Sequence, residues 1–190
     1  LPDSIKLFLI NRILEISGIT TVLLSFFILI SVISYSSFDP SILNVNNYEV
    51  KNIGGYIGAT VSDVLIQFFG YNSILICIIL ISWAYKLFFV KSLELFGLNI
   101  LLLPITVYLL ALFFEILSLP ISNGFIATQS LIFFNENIII SSSYIEYLFT
   151  SIIFIIFLIS FYFTMGLKIY EWNKFFHTLW KLIQVCVVLI

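Results

Sequence analysis

Four stretches of this chain run for the width of a membrane without one charged side chain: Ile16 to Phe38, Val64 to Tyr85, Leu95 to Phe114 and Tyr147 to Leu167. A helix needs about 20 apolar residues to cross roughly 30 Å of hydrocarbon. A segment in hydrocarbon must also satisfy its own backbone hydrogen bonds, which a helix does and an open sheet does not. The gaps in charge therefore predict an all-α integral membrane protein. Trimmed for polar ends, its four transmembrane helices fall near 13–35, 72–90, 97–117 and 146–168. Composition agrees, with 62% hydrophobic residues, 9% charged residues and a mean hydropathy of +1.18. A soluble domain carries roughly a quarter charged residues, so a buried core alone does not account for these values.

The cations orient the spans. Lys6 and Arg12 precede the first, Lys86 and Lys91 lie between the second and third, and Lys168, Lys174 and Lys181 follow the fourth. Only Lys51 falls in a connection between the first and second, and the connection between third and fourth has no cation. The excess of cations on cytoplasmic segments makes the crowded side the cytoplasmic one. Both termini are then inside, with two long outer loops and a short inner one. A net charge of −2, with eight Lys and Arg spread along the chain, provides no basic patch to follow a phosphate backbone.

Between the first two spans the apolar pattern breaks at Asn52-Ile53-Gly54-Gly55-Tyr56-Ile57-Gly58-Ala59. A helical period follows, with Ile57, Val61, Leu65 and Phe68 on one face and Thr60, Asp63 and Gln67 opposite. This predicts an amphipathic helix over 54–69 in the first outer loop, resting its apolar face on the membrane surface or capping the bundle. Its polar face, with Asp63, would be open to partners.

The uncharged stretch from Ile116 to Asn135 is punctuated by Pro120, Asn123, Gly124 and Gln129 and reads as a loop with an interfacial or re-entrant piece. Gly124-Phe125-Ile126-Ala127-Thr128 resembles Gly55-Tyr56-Ile57-Gly58-Ala59-Thr60 in the other outer loop. Two hairpins built on one plan would give this, as would chance in so biased a composition. Residues 172–190 begin with Trp172, Lys174, His177, Trp180 and Lys181, the aromatic and cationic make-up of a juxtamembrane helix and the start of a cytoplasmic linker. The start at Leu1 and the end at Ile190 lead us to expect a piece of a longer protein.

Catalytic chemistry finds little material. Transporters and pumps hold ionisable residues near the midplane, whereas Glu15, Lys86 and Glu115 lie near span ends and read as snorkelling charges. Pro104 reads as a packing kink. His177 is the one histidine, and Cys77 and Cys186 read as inert packing residues, so no metal set or nucleophile–base pair emerges. No G-x-x-x-x-G-K-[ST] occurs, which excludes P-loop nucleotide binding by these residues. Ser17, Thr21 and Ser25 recur every four residues and mark a helix-packing face on the first span.

Ser34-Tyr35 and Asp39-Pro40-Ser41 end that span, since a residue before proline leaves the helical region. They lack the extra proline often found between them in the family they resemble, the FtsK/SpoIIIE family of bacterial DNA translocases, in whose N-terminal membrane domain the places that follow are filled without a gap by Asn52, Gly54-Gly55, Gly58-Ala59, Asp63 and Phe69-Gly70. Ser62 stands where Ala is usual, and Asn123-Gly124-Phe125-Ile126-Ala127 is a degraded match to a second family motif. The resemblance implies a non-catalytic, four-helix inner-membrane anchor at the division septum that engages other division proteins. It also implies a motor domain absent from this chain, a hexameric ATPase that uses ATP and Mg to pump double-stranded DNA. The rival reading is a small multi-pass transporter or channel subunit, and a membrane-embedded enzyme comes third.

Overall fold

The structure is a computed structural model that describes residues 3–92, 95–119, 123–137 and 143–188. It is all-helical, with no strand among the described residues. Helix α1 spans Asp3–Ile33 and α2 spans Gly55–Phe69. A 3₁₀ turn over Gly70–Ser73 leads into α3, Ile74–Tyr85, which ends in a π turn over Lys86–Val90. Then come α4 (Phe96–Ile116), α5 (Gly124–Asn137), α6 (Ser143–Met165) and α7 (Ile169–Val188). Among the described residues, four runs are long and apolar enough to cross a membrane: Asp3–Ile33, Gly55–Val90, Phe96–Ile116 and Tyr144–Met165. At 1.5 Å per residue, α1 is about 46 Å long, so it projects well beyond a hydrocarbon layer of about 30 Å.

Helices α1 and α3 form one antiparallel hairpin, and α4 and α6 a second. The α1 seam is Gly18, Ser25 and Val32, one residue every seventh position, all buried. Its small members let the backbones close up: a Cβ on Gly18 would lie 3.2 Å from the Ala84 carbonyl oxygen, and the Ser25 hydroxyl donates to the Cys77 carbonyl at 3.0 Å. The packing face expected from Ser17, Thr21 and Ser25 is therefore a contact within the chain. It is rotated slightly, because glycine admits a closer approach than either hydroxyl residue.

The core gathers Leu75, Ile79 and Trp83 of α3 around Val107 and Leu112 of α4 and Ile153 and Phe157 of α6. In lipid, apolar burial does not drive helices together, so polar contacts fix their register. Two α3 side chains and Lys86 of the π turn that follows do this at the end of α6. Ser82 donates to the Met165 carbonyl, the Trp83 indole to Thr164 and the Lys86 ammonium to Gly166, each at 2.7 Å. These are carbonyls that a helix leaves without an internal partner. Inside the second hairpin, Thr106 bonds the Ser160 and Thr164 hydroxyls at 2.6 and 2.8 Å.

Helix α2 corrects the expectation that the face carrying Asp63 is open. Gly58, Ala59, Ser62, Asp63 and Ile66 are buried, whereas Ile57 is 69% and Phe68 42% exposed. Val61 and Leu65 are half-buried. The face with the small residues and Asp63 turns inward, because small side chains let α2 close on α1 and the carboxylate finds donors there. Apolar side chains can face hydrocarbon without cost.

Candidate functional site

The residues singled out in the first connection converge on a buried polar clasp at the end of α1. Asp39, Ser41, Asn52, Ser62 and Asp63 are each at most 5% exposed. Helix α1 ends at Ile33, ahead of the expected stop at Asp39-Pro40, and Asp39 sits in a bend just before the proline. Its carboxylate then accepts the backbone N–H groups of Lys51 (3.0 Å) and Asn52 (2.8 Å), pulling the far end of the loop back. Ser41 knots the loop locally by accepting from the Leu43 and Asn44 amides.

Asn52 is the pivot. Its amide donates to the Ser31 carbonyl at 2.8 Å and to the Ser62 hydroxyl at 3.2 Å, joining the last turn of α1 to α2. Its carbonyl oxygen accepts the Gly54 N–H at 2.9 Å, and its backbone carbonyl accepts that of Gly55. Gly58 sits directly over this group: a Cβ there would fall 2.5 Å from Asn52 Oδ1 and 2.9 Å from Ser31 Oγ. Glycine is thus required by close approach, and Ala59 beside it is 2% exposed.

Asp63 closes the clasp from α2. It accepts from the Ser41 hydroxyl, from Gln67 Nε2 at 2.9 Å and from the Tyr35 hydroxyl at 3.3 Å. The Tyr35 phenol is pushed above its ordinary value, first by burial and then by the neighbouring Asp63 carboxylate. Asp63 is thus committed to the fold, and the expectation that it faces partners does not match its placement. Chemically the clasp holds two carboxylates saturated by donors, an arrangement that fixes loop shape. No group of three or more His, Cys, Asp or Glu able to hold a metal lies among the described residues.

Phe69 and Gly70 lie at the other end of α2, where the connection between α4 and α6 meets it. Gly124, with φ of +80°, opens α5 so close that a Cβ would lie 2.5 Å from both the Gly70 nitrogen and the Phe68 carbonyl oxygen. Asn72 donates to Asn123 at 3.0 Å and Asn123 to Glu115 at 2.8 Å, so a relay of amides satisfies the carboxylate at the end of α4. Between α2 and α5 opens a cleft of about 570 Å³, with Tyr35, Gln67, Tyr71, Glu115 and Phe125 in its walls. The cleft, Asn72 and the Lys86–Glu171 pair at the opposite end escaped sequence reasoning. The only signal was the faint likeness of the two glycine-led loops.

The family described as the 4TM region of DNA translocase FtsK/SpoIIIE matches residues 11–180. A DNA translocase FtsK of Rickettsia prowazekii is 38% identical over 80 residues, 40% of this chain and 11% of the relative. One from Bradyrhizobium diazoefficiens is 28% identical over 87 residues, 46% of this chain and 10% of its own. One from Mesorhizobium japonicum is 33% identical over 64 residues, 34% of this chain and 7% of its own. The chain thus matches about a tenth of the length of these relatives. No solved structure matches it. With four apolar spans and a family match over nearly all its length, this chain belongs to the four-transmembrane-helix region of the FtsK/SpoIIIE DNA translocases.

Proposed function

We propose that the chain is the membrane anchor of a longer DNA translocase and a scaffold at the division site, coupling chromosome segregation to cell division. The observation that carries this is the family match over residues 11–180. ATP, Mg and double-stranded DNA belong, on this reading, to a motor domain outside these residues, which would also supply hexameric self-association. A motor that pulls DNA needs a fixed point, and four helices resist extraction better than one.

Cation placement supports both termini being cytoplasmic. The end that carries the clasp would then face outward, with Asp39, Glu49, Asp63, Glu115, Glu136 and Glu146 against Lys51 alone. On that side the cleft between α2 and α5 is the candidate contact face for other division-septum membrane proteins. Tyr71 and Phe125 at its mouth are 45% and 63% exposed, and aromatic side chains are favoured anchors at protein interfaces.

The test is the distribution of the chain, fused to a fluorescent protein, in dividing bacteria. Septal enrichment that falls when Tyr71→Ala and Phe125→Ala are combined, at unchanged membrane level, is the expected result. Uniform membrane labelling by the parent chain would refute the scaffold role. Enrichment indifferent to the double substitution would move the contact face elsewhere. Protease shaving of inside-out and right-side-out vesicles checks the orientation.

A further inference from the structure

At the end of the bundle opposite the clasp, α1, α3 and α7 enclose an apolar groove of about 330 Å³. Val22 and Ile19 of α1, Ile81 and Phe88 of the α3 rod, and Phe175 and Thr178 of α7 form its walls. It opens toward hydrocarbon, since Ile19 and Phe89 at its edge are 52% and 62% exposed. A volume near 300 Å³ falls at the lower end of small-molecule sites.

Charge distinguishes this groove from ordinary lipid-facing surface. Lys174, Thr178 and Lys181 recur at i, i+4 and i+7, one face of α7, and Thr178 of that face lines the groove. Both lysines are exposed. On the opposite wall, Arg12 and Lys91 share Glu15 one turn from Gly18, a groove residue. The Arg12 and Lys91 side chains remain 58% and 37% exposed. Lys174 and Lys181 thus flank the groove residue Thr178 on its face of α7, and the Arg12–Glu15–Lys91 cluster lies one turn from the groove residue Gly18.

We propose that this groove is a binding site for one anionic phospholipid, with an acyl chain lying along Val22, Ile81 and Phe88 and the phosphate held by Lys174 and Lys181 of α7. The inference is independent of which side of the membrane the groove faces. An acyl chain gains no hydrophobic free energy on leaving other acyl chains, so the groove contributes shape and close packing alone. Discrimination between lipids must then come from the head, at about fivefold in affinity for each Lys or Arg near the phosphate.

The experiment is native mass spectrometry of the chain, carried in the longest form that expresses. It is released from bilayers mixing phosphatidylcholine with phosphatidylglycerol of matched acyl chains. The parent should retain phosphatidylglycerol in excess of its share of the bilayer. Lys174→Gln with Lys181→Gln should reduce that excess by on the order of twentyfold while leaving helical circular dichroism unchanged. Val22→Trp should reduce retention of both lipids, and Ile81→Trp serves the same purpose should the first fail to insert. Equal retention of the two lipids by the parent, or an excess indifferent to the lysine substitutions, overturns the proposal. A tryptophan variant that changes oligomeric state while keeping its lipid would make the groove a contact between copies, which also overturns it.

Discussion

At the scale of single residues, the clasp separates two uses of glycine that look alike in sequence. Gly58 faces Asn52 Oδ1 and Ser31 Oγ, and both oxygens are already held by their own bonds. Gly97, at the start of α4, has nothing within 4 Å of a built Cβ. Gly58→Ala is therefore an overpacking change and should destabilise by about 1–3 kcal/mol. Gly97→Ala should stabilise by roughly 0.5–1 kcal/mol through helix propensity alone. Reversible unfolding in mixed micelles reads both, and equal signs would contradict the placement of α2 on α1. Tyr35 adds a dependence on pH. Its phenol lies above the ordinary value of 10.0, because burial and the Asp63 carboxylate both disfavour the phenolate. A raised folded-state value means the contribution is fully present below pH 10 and lost as pH rises through that higher value. The parent should weaken above pH 10, and Tyr35→Phe should flatten that fall without altering stability near neutrality by more than the one hydrogen bond. Stability measured at neutral and alkaline pH compares the two.

At the scale of elements, α3 is the part to which the others are fastened, through its last two turns. Lys86 is 1% exposed and stands 3.3 Å from Glu171, whose side chain is 3% exposed. The same Glu171 oxygen accepts the Lys168 N–H at 2.8 Å, so a residue at the third position of α7 also caps its first turn. One carboxylate thus sets where α7 starts and ties it to α3, while Tyr85 packs edge-on to Phe175 at 5.6 Å. Lys86→Met should cost about 3–5 kcal/mol, since it strands a buried carboxylate. Ser82→Ala, which removes a neutral bond to the same helix end, should cost about 0.6 kcal/mol and at most about 1.7. Adding Glu171→Gln to Lys86→Met should recover part of the loss, and steric-trapping or denaturant titration of the parent, Lys86→Met, Glu171→Gln and the double variant measures the coupling. None of this pairing was legible in the sequence, where Lys86 reads as a snorkelling charge near a helix end. The spans themselves were legible, because an uncharged apolar run long enough to cross hydrocarbon is hard to place anywhere but in a membrane. The facing of α2 was not. Periodicity separates two faces of a helix but does not say which one is buried, and next to lipid the small and polar face can be the inner one.

At the scale of the whole molecule, two hairpins of similar build are joined at their two ends by different means. In each hairpin a glycine with positive φ opens a short helix between two spans, Gly55 before α2 and Gly124 before α5. At one end α2 and α5 touch through Gly124 and Gly70; at the other, α3 side chains hold the last carbonyls of α6. The likeness of the two glycine-led loops therefore has a physical counterpart in where the halves meet. It follows that Gly55 and Gly124 should respond differently to one methyl group, although both are left-handed. Gly55→Ala has nothing within 4 Å of the new Cβ and should cost only the conformational penalty, about 1–2 kcal/mol. Gly124→Ala carries the same penalty plus a clash with two backbone atoms that cannot turn aside. It should cost at least about 2 kcal/mol more, by analogy with overpacked cores. Because that clash falls at the joint between the hairpins, it should also split one cooperative unfolding transition into two, while Gly55→Ala keeps one. Unfolding followed by two probes, tryptophan fluorescence near Trp83 and a label at exposed Phe125, distinguishes the cases. Coincident transitions in Gly124→Ala would mean that the shared core and the α3–α6 contacts hold the halves together without this joint.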